Sequence, residues 1–219
     1  MALTLEEKLE KLNALEKVME KDFGTGTVIC DGDYPKIPRW KLASPRINHL
    51  MGGGLPKGRI IEVYGPESSG KTTLWLQWSA DVQQKGGYVV WIDAEHCFDP
   101  EYSHRFGLKT SSDCFKLISP DSGEDALEIM ARYAGSGAVD LIVLDSIAAL
   151  VPKAELEGAM EDNQMGAQAR MMGKAMRKIT GLAAKNETVI GFINQIRMKI
   201  GVMFGNPECV APETLIDID

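Results

Sequence analysis

The chain has 219 residues, enough for one domain of ordinary size with a small appendage. Hydrophobic residues make up 44% and charged residues 25%, a globular composition that excludes a disordered or fibrous chain. Its 24 Lys and Arg stand against 31 Asp and Glu; the net charge of −7 excludes a uniformly basic nucleic-acid coat and leaves any such role to local charge.

The first segment reads as an amphipathic helix. Thr4 with Glu7 makes a capping box, and Leu5, Leu9, Leu12, Leu15 and Met19 recur at helical spacing until Gly24. This helix either packs on its own core or on a neighbouring subunit. Thr25–Cys30 then has strand character, followed by a Gly, Pro and Asp stretch to Pro38. From Arg59 strands and helices alternate. Ile60–Tyr64, Tyr88–Ile92, Cys114–Ile118, Leu141–Leu144 and Thr188–Ile193 are apolar runs too short for helices. Helical stretches lie between them at Thr72–Gln84, Gly123–Tyr133 and Met165–Ala184. Strands buried on both faces and separated by helices predict an α/β fold with a mostly parallel central sheet and helices on both faces. Cys30, Cys97, Cys114 and Cys209 show neither metal-ligand nor disulfide-framework spacing. The amino terminus has no apolar signal core and no run reaches bilayer length, so a cytoplasmic protein without a membrane partner is expected.

The strongest chemical signal is Gly65, Pro66, Glu67, Ser68, Ser69, Gly70, Lys71 and Thr72, which satisfies G-x-x-x-x-G-K-[ST] between a strand and a helix. Such a loop turns backbone N–H groups onto phosphate oxygens, and the helix N-terminus adds its positive end. Lys71 would neutralise β- and γ-phosphate charge and Thr72 would ligate Mg²⁺. Asp145 ends an apolar strand on the ligand-binding edge of a parallel sheet, where it can hold the same ion through water. Glu95 falls on that edge after the second strand. It is either the residue that aligns or deprotonates an attacking water, or a solvated loop acid. His96 has no second ligand at a useful spacing and reads as structural. The last strand ends in Asn194-Gln195, where an amide could sense the γ-phosphate. Between Ala167 and Ile200 seven basic residues face one acid, Glu187, a local charge of +6. Arg170, Lys174, Arg177 and Lys178 share one helical face, a stripe able to neutralise phosphates.

Five blocks carry a family resemblance: GPESSGKTT (65–73), DAEHCFD (93–99), DSIAAL (145–150), ARMMGKAMRK (169–178) and FINQIRMKIGVMFGNPE (192–208). With them the chain resembles bacterial-type RecA recombinases from its N-terminal helix to Glu208. The resemblance implies an ATP-dependent enzyme acting on DNA in homologous recombination and repair, with ATP and Mg²⁺ as ligands and single- and double-stranded DNA as partners. It implies self-association into a helical filament, the N-terminal helix docking on the adjacent protomer. Thr73 joins the phosphate loop, Asp99 and Tyr102 match adenine contacts, Glu95 the water-activating residue and Gln195 the switch between γ-phosphate and DNA. Arg170, Gly173 and Arg177 match positions facing the DNA backbone. The family's two DNA loops correspond to Glu157–Gln164 and Ile196–Glu208, with Arg197, Met198, Lys199 and Ile200 in the second; Ile200 matches a side chain inserted between base triplets.

The division implied is an oligomerisation helix and strand (1–33), an incomplete ATPase core (34–208) and a tail (209–219). Family members continue beyond Glu208 with more core and a small C-terminal domain. The strand and helix that anchor the far end of the second DNA loop are therefore expected to be lacking, along with basic residues that reach a neighbour's ATP. The tail Cys209–Ile216 resembles the opening block of an intein, Cys209 being the nucleophile that attacks the Glu208 carbonyl. A downstream intein and extein half would then be a further partner. The alternative for the tail is an arbitrary end. The alternatives for the chain are an inert N-extein half and an ATP-binding fragment that interacts with filaments.

Overall fold

Five of the apolar runs form the parallel strands of one sheet, and their order decides where the ligand-binding edge lies. The computed structural model describes residues 3–24, 36–157, 166–198 and 208–210. The chain divides into two compact units, residues 1–37 and 38–219.

In the first unit, helix α1 (Leu5–Phe23) carries the expected capping box. The Thr4 hydroxyl accepts from the Glu7 N–H, and Glu7 accepts from the Thr4 N–H at 2.8 Å. None of its residues is buried. The expected strand at Thr25–Cys30 lies outside the described residues.

The second unit begins with a two-residue ribbon, β1 (Arg39–Trp40) against β2 (Leu55–Pro56), enclosing the short helix α2 (Pro45–Leu50). The core follows as β3 (Ile60–Gly65), α3 (Lys71–Gln83), β4 (Val89–Asp93), α4 (Pro100–His104), β5 (Phe115–Ile118), α5 (Gly123–Ser136), β6 (Leu141–Asp145), α6 (Lys153–Glu157), α7 (Ala167–Asn186) and β7 (Val189–Met198). The order is β3-β7-β6-β4-β5, all neighbours parallel. Alternate side chains enter two layers, as a period of two requires. Val90, Ile92, Ile142, Leu144, Ile190 and Phe192 face the α5 and α7 side with Met130, Ile179 and Ala183. Val89, Trp91, Leu141, Val143, Val189 and Ile193 pack with Trp75, Leu76 and Val82 of α3.

Two expectations are corrected. Strand β3 is half-buried along most of its length, because the order places it at the sheet edge. The last strand does not stop at Ile193 but runs to Met198, taking Ile196, Arg197 and Met198 out of loop conformation. There it pairs antiparallel with β8 (Glu208–Val210), in register Ile196 with Val210, Arg197 with Cys209 and Met198 with Glu208. Glu208, the far end of the expected second DNA loop, is thus paired with β7 together with Cys209 and Val210, where no anchor was expected. Lys199 and Ile200 lie outside the described residues, as does most of both expected DNA loops. Among the described residues no helix is long and apolar enough to cross a membrane.

Candidate nucleotide-binding site

The turn from β3 into α3 is built for exposed backbone donors. Gly70, the residue before the helix, has φ +88°, and Ser68 also sits at positive φ, so successive amides turn to one side. A Cβ on Gly70 would meet nothing within 4 Å, so its conformation, not its space, calls for glycine. Residues 66–70 are exposed, while Gly65 is buried at the strand end. The Lys71 ammonium arches back over the loop, donating to the carbonyls of Gly65 at 3.0 Å and Pro66 at 2.8 Å.

Across the strand ends stands a group of carboxylates. The Thr72 hydroxyl donates to Asp145 Oδ2 at 2.9 Å. Asp145 is in register with Asp93 on the neighbouring strand. Burial first, with Glu95 and Asp93 beside it, pushes the Asp145 carboxyl up to about 6 against the opposing Thr72 hydrogen bond and Lys71. A carboxyl held above its usual value favours the folded state most at low pH, and that contribution is lost as pH rises through about 6. In EDTA, Asp145→Asn should therefore be more stable than wild type by about 3 kcal/mol above pH 7 and close to it near pH 4. Urea melts at the two pH values check this.

Glu95 stands just beyond β4. Its carboxylate accepts from the Ser146 hydroxyl, and the Cys97 thiol lies 3.9 Å from its other oxygen. Burial, followed by Asp145, Asp93 and Glu95, pushes that thiol up to about 11. His96 sits at φ +54° between them and is exposed. Asp99 caps α4, accepting from the Tyr102 N–H at 3.1 Å. The Tyr102 hydroxyl lies 3.0 Å from Thr73 Oγ1, and its ring meets Phe106 edge-on, so one face borders the loop helix. Gln195 is the register partner of Gly65, the first residue of the phosphate loop. Its N–H donates to Asn194 Oδ1, and the Asn194 amide donates to Glu62 at 2.7 Å. The Ser146–Glu95 and Asn194–Glu62 contacts, missed from sequence, join residues that share no motif spacing, whereas Cys97 meets Glu95 within one block.

The basic stripe is less free than its sequence suggests. Lys178 is paired with Glu128 of α5 at 2.9 Å, whereas Arg170, Lys174 and Arg177 are exposed and in no ion pair among the described residues. A Cβ on Gly173 would meet nothing within 4 Å, so that position leaves an open surface beside them.

A parallel sheet whose edge strand turns through a glycine-rich G-K-T loop into a helix, opposite a strand-end aspartate, defines a P-loop α/β protein. The RecA N-terminal domain model matches residues 10–215, and the chain belongs to that family. It is 50% identical over 206 residues to the protein named Protein RecA of Chloroherpeton thalassium, covering 93% of this chain and 57% of that protein. With Protein RecA of Borrelia hermsii the identity is 51% over 212 residues, covering 94% and 59%. With that of Acinetobacter baumannii it is 52% over 206 residues, covering 93% and 58%. The chain thus spans less than two thirds of these relatives, and the family match runs past Cys209 into the tail.

Proposed function

We propose that the chain binds ATP with Mg²⁺, and that it is the ATPase part of a recombinase that coats single-stranded DNA as a filament, pairs it with homologous duplex and exchanges strands. The observation that carries the nucleotide reading is the Thr72–Asp145 contact facing the phosphate loop. Two hard oxygen donors on adjoining elements suit Mg²⁺, which keeps most of its waters and is shared with phosphate oxygens. Thr72 and Asp145 would hold the ion, which supplies charge neutralisation between the β- and γ-phosphates. The amides of 66–70 and Lys71 bind the phosphates, and Asp99 and Tyr102 flank the base. Glu95 takes a proton from water as the water oxygen bonds to the γ-phosphorus; the bridging oxygen leaves on ADP with its electron pair. Gln195, in register with Gly65, couples phosphate occupancy to β7 and so to Arg197 and Met198.

DNA binding is assigned to Arg170, Gly173 and Arg177 on α7 together with Arg197, Met198, Lys199 and Ile200. Fluorescence titration with labelled single strands across a salt series tests it. Arg170→Ala and Arg177→Ala should each weaken binding and lower the salt slope by about 1, while Lys178→Ala, whose charge is already paired, should change the slope far less. Equal slopes for all three would sink the assignment.

The tail reading is that Cys209 opens an intein. It rests on the resemblance of Cys209–Ile216 and on the position of the Glu208–Cys209 bond directly after the second DNA loop. Mixed with a downstream half carrying the remaining intein blocks and C-extein, the chain should form a thioester at Glu208 that thiols cleave, and Cys209→Ala should block it. Mass spectra unchanged by that substitution would remove the intein.

A further inference from the structure

We infer that Ser146 is a positioning residue for Glu95, choosing which of its carboxylate oxygens meets the attacking water. The inference rests on the hydrolytic reading above. Glu95 is an exposed residue at the end of β4, and an unrestrained glutamate there would spend its time in solvent. Its backbone is first fixed from two sides. The N–H groups of Ala94 and Glu95 both donate to the Asp145 carbonyl, at 2.8 and 3.2 Å. Asp93 closes the turn beyond, its two oxygens accepting from the N–H groups of Cys97 and Phe98 at 3.2 and 2.9 Å.

The side chain is then held by Ser146, which is wholly buried and directly follows the proposed metal ligand Asp145. Its hydroxyl donates to Oε1, leaving Oε2 among the described residues with only the weak thiol of Cys97 at 3.9 Å. Oε2 is therefore the oxygen open to a water, and the proposed base and the metal ligand are set on one rigid frame of adjoining strand ends. The bland alternative is a buried hydroxyl that satisfies itself on the nearest acceptor and governs nothing.

Cys97 is a built-in reporter that separates the two. Iodoacetamide labelling of the folded protein at pH 8, followed at the Cys97 peptide by mass spectrometry, reads the nearby negative charge. Glu95→Gln should speed labelling several-fold. Ser146→Ala should do the same by letting the carboxylate swing to solvent, and the double variant should be no faster than either single one. Ser146→Thr keeps the hydroxyl and should label at the wild-type rate. Ser146→Gly is the second hydroxyl-free variant should the alanine protein fail to melt cooperatively. Wild-type labelling of Ser146→Ala beside faster Glu95→Gln, or additive effects in the double variant, overturns the inference; so does an unaltered rate in Glu95→Gln. In ATP turnover Ser146→Ala should lower kcat about tenfold with KM unchanged, and an unchanged kcat overturns the inference equally. Loss of Mg²⁺-ATP binding by every variant and by wild type would instead remove the nucleotide reading and leave the labelling pattern intact, so the two fail separately.

Discussion

Lys71→Ala is expected to abolish Mg²⁺-ATP binding measured by titration calorimetry. The ammonium is the loop's own cation, held over it by the Gly65 and Pro66 carbonyls. In the proposed nucleotide complex it offsets the charge of two adjacent phosphates that would otherwise repel one another and the carboxylates opposite. Each such charge-assisted hydrogen bond to phosphate is worth roughly 1.5–3 kcal/mol, so two lost together weaken binding by two to four orders of magnitude. The effect on stability should be far smaller, because the Pro66 carbonyl released lies in an exposed loop and only the Gly65 carbonyl is part-buried. An alanine protein that binds as tightly as wild type would remove the basis of the site.

A large effect on stability should come from Gly191. A Cβ there would sit 2.5 to 2.8 Å from three ring carbons of Trp75, which is wholly buried and packs edge-to-face on Trp78 with ring centroids 4.9 Å apart. A fused aromatic ring has no flexible end to give way, so either α3 must lift from the sheet or β7 must shift. Gly191→Ala should cost about 1–3 kcal/mol by overpacking, more than the roughly 0.5–1 kcal/mol gained from removing a glycine from a strand. Gly191→Val should cost more. Trp75→Leu in the Gly191→Ala background should recover part of the loss, since the smaller side chain vacates the clash. Urea melts of the single and double variants measure this; independent, additive losses would mean that the two residues do not share the space.

The parts of the site legible in the sequence are those whose chemistry demands fixed residue types at fixed spacing. Gly65 to Thr72 and the Asp145 that ends an apolar run are of that kind, and β4 and β6, buried on both faces, read correctly because every residue in them points into a layer. The end of β7 was not legible. Asn194 and Gln195 interrupt the apolar run, yet the strand continues because Gly65 on one side and β8 on the other supply ladder partners that composition does not announce. Edge position was equally hidden: apart from Glu62, Ile60–Tyr64 is an apolar run, and only the order β3-β7-β6-β4-β5 places it at the edge. The pairing of Lys178 with Glu128 and of Ser146 with Glu95 depends on which helices and strand ends become neighbours across about fifty residues. Two short helices, by contrast, were signalled and passed over. Ser44-Pro45 and Asp99-Pro100 each place a capping side chain before proline at the first helical position, and both caps form.

Helix α1 has a further consequence. Leu5, Leu9, Leu12, Leu15 and Val18 are each at least half exposed along its stripe, and among the described residues of its own unit its order rests on the capping box and on intrinsic propensity. Nineteen residues held in that way are close to the helix–coil midpoint in water. Any apolar surface that covers the stripe binds the ordered form and not the frayed one, and by mass action draws the equilibrium toward helix. Where that surface belongs to a second copy of the chain, as the proposed filament requires, the ellipticity contributed by residues 5–23 should fall on dilution while the β-sheet core stays untouched.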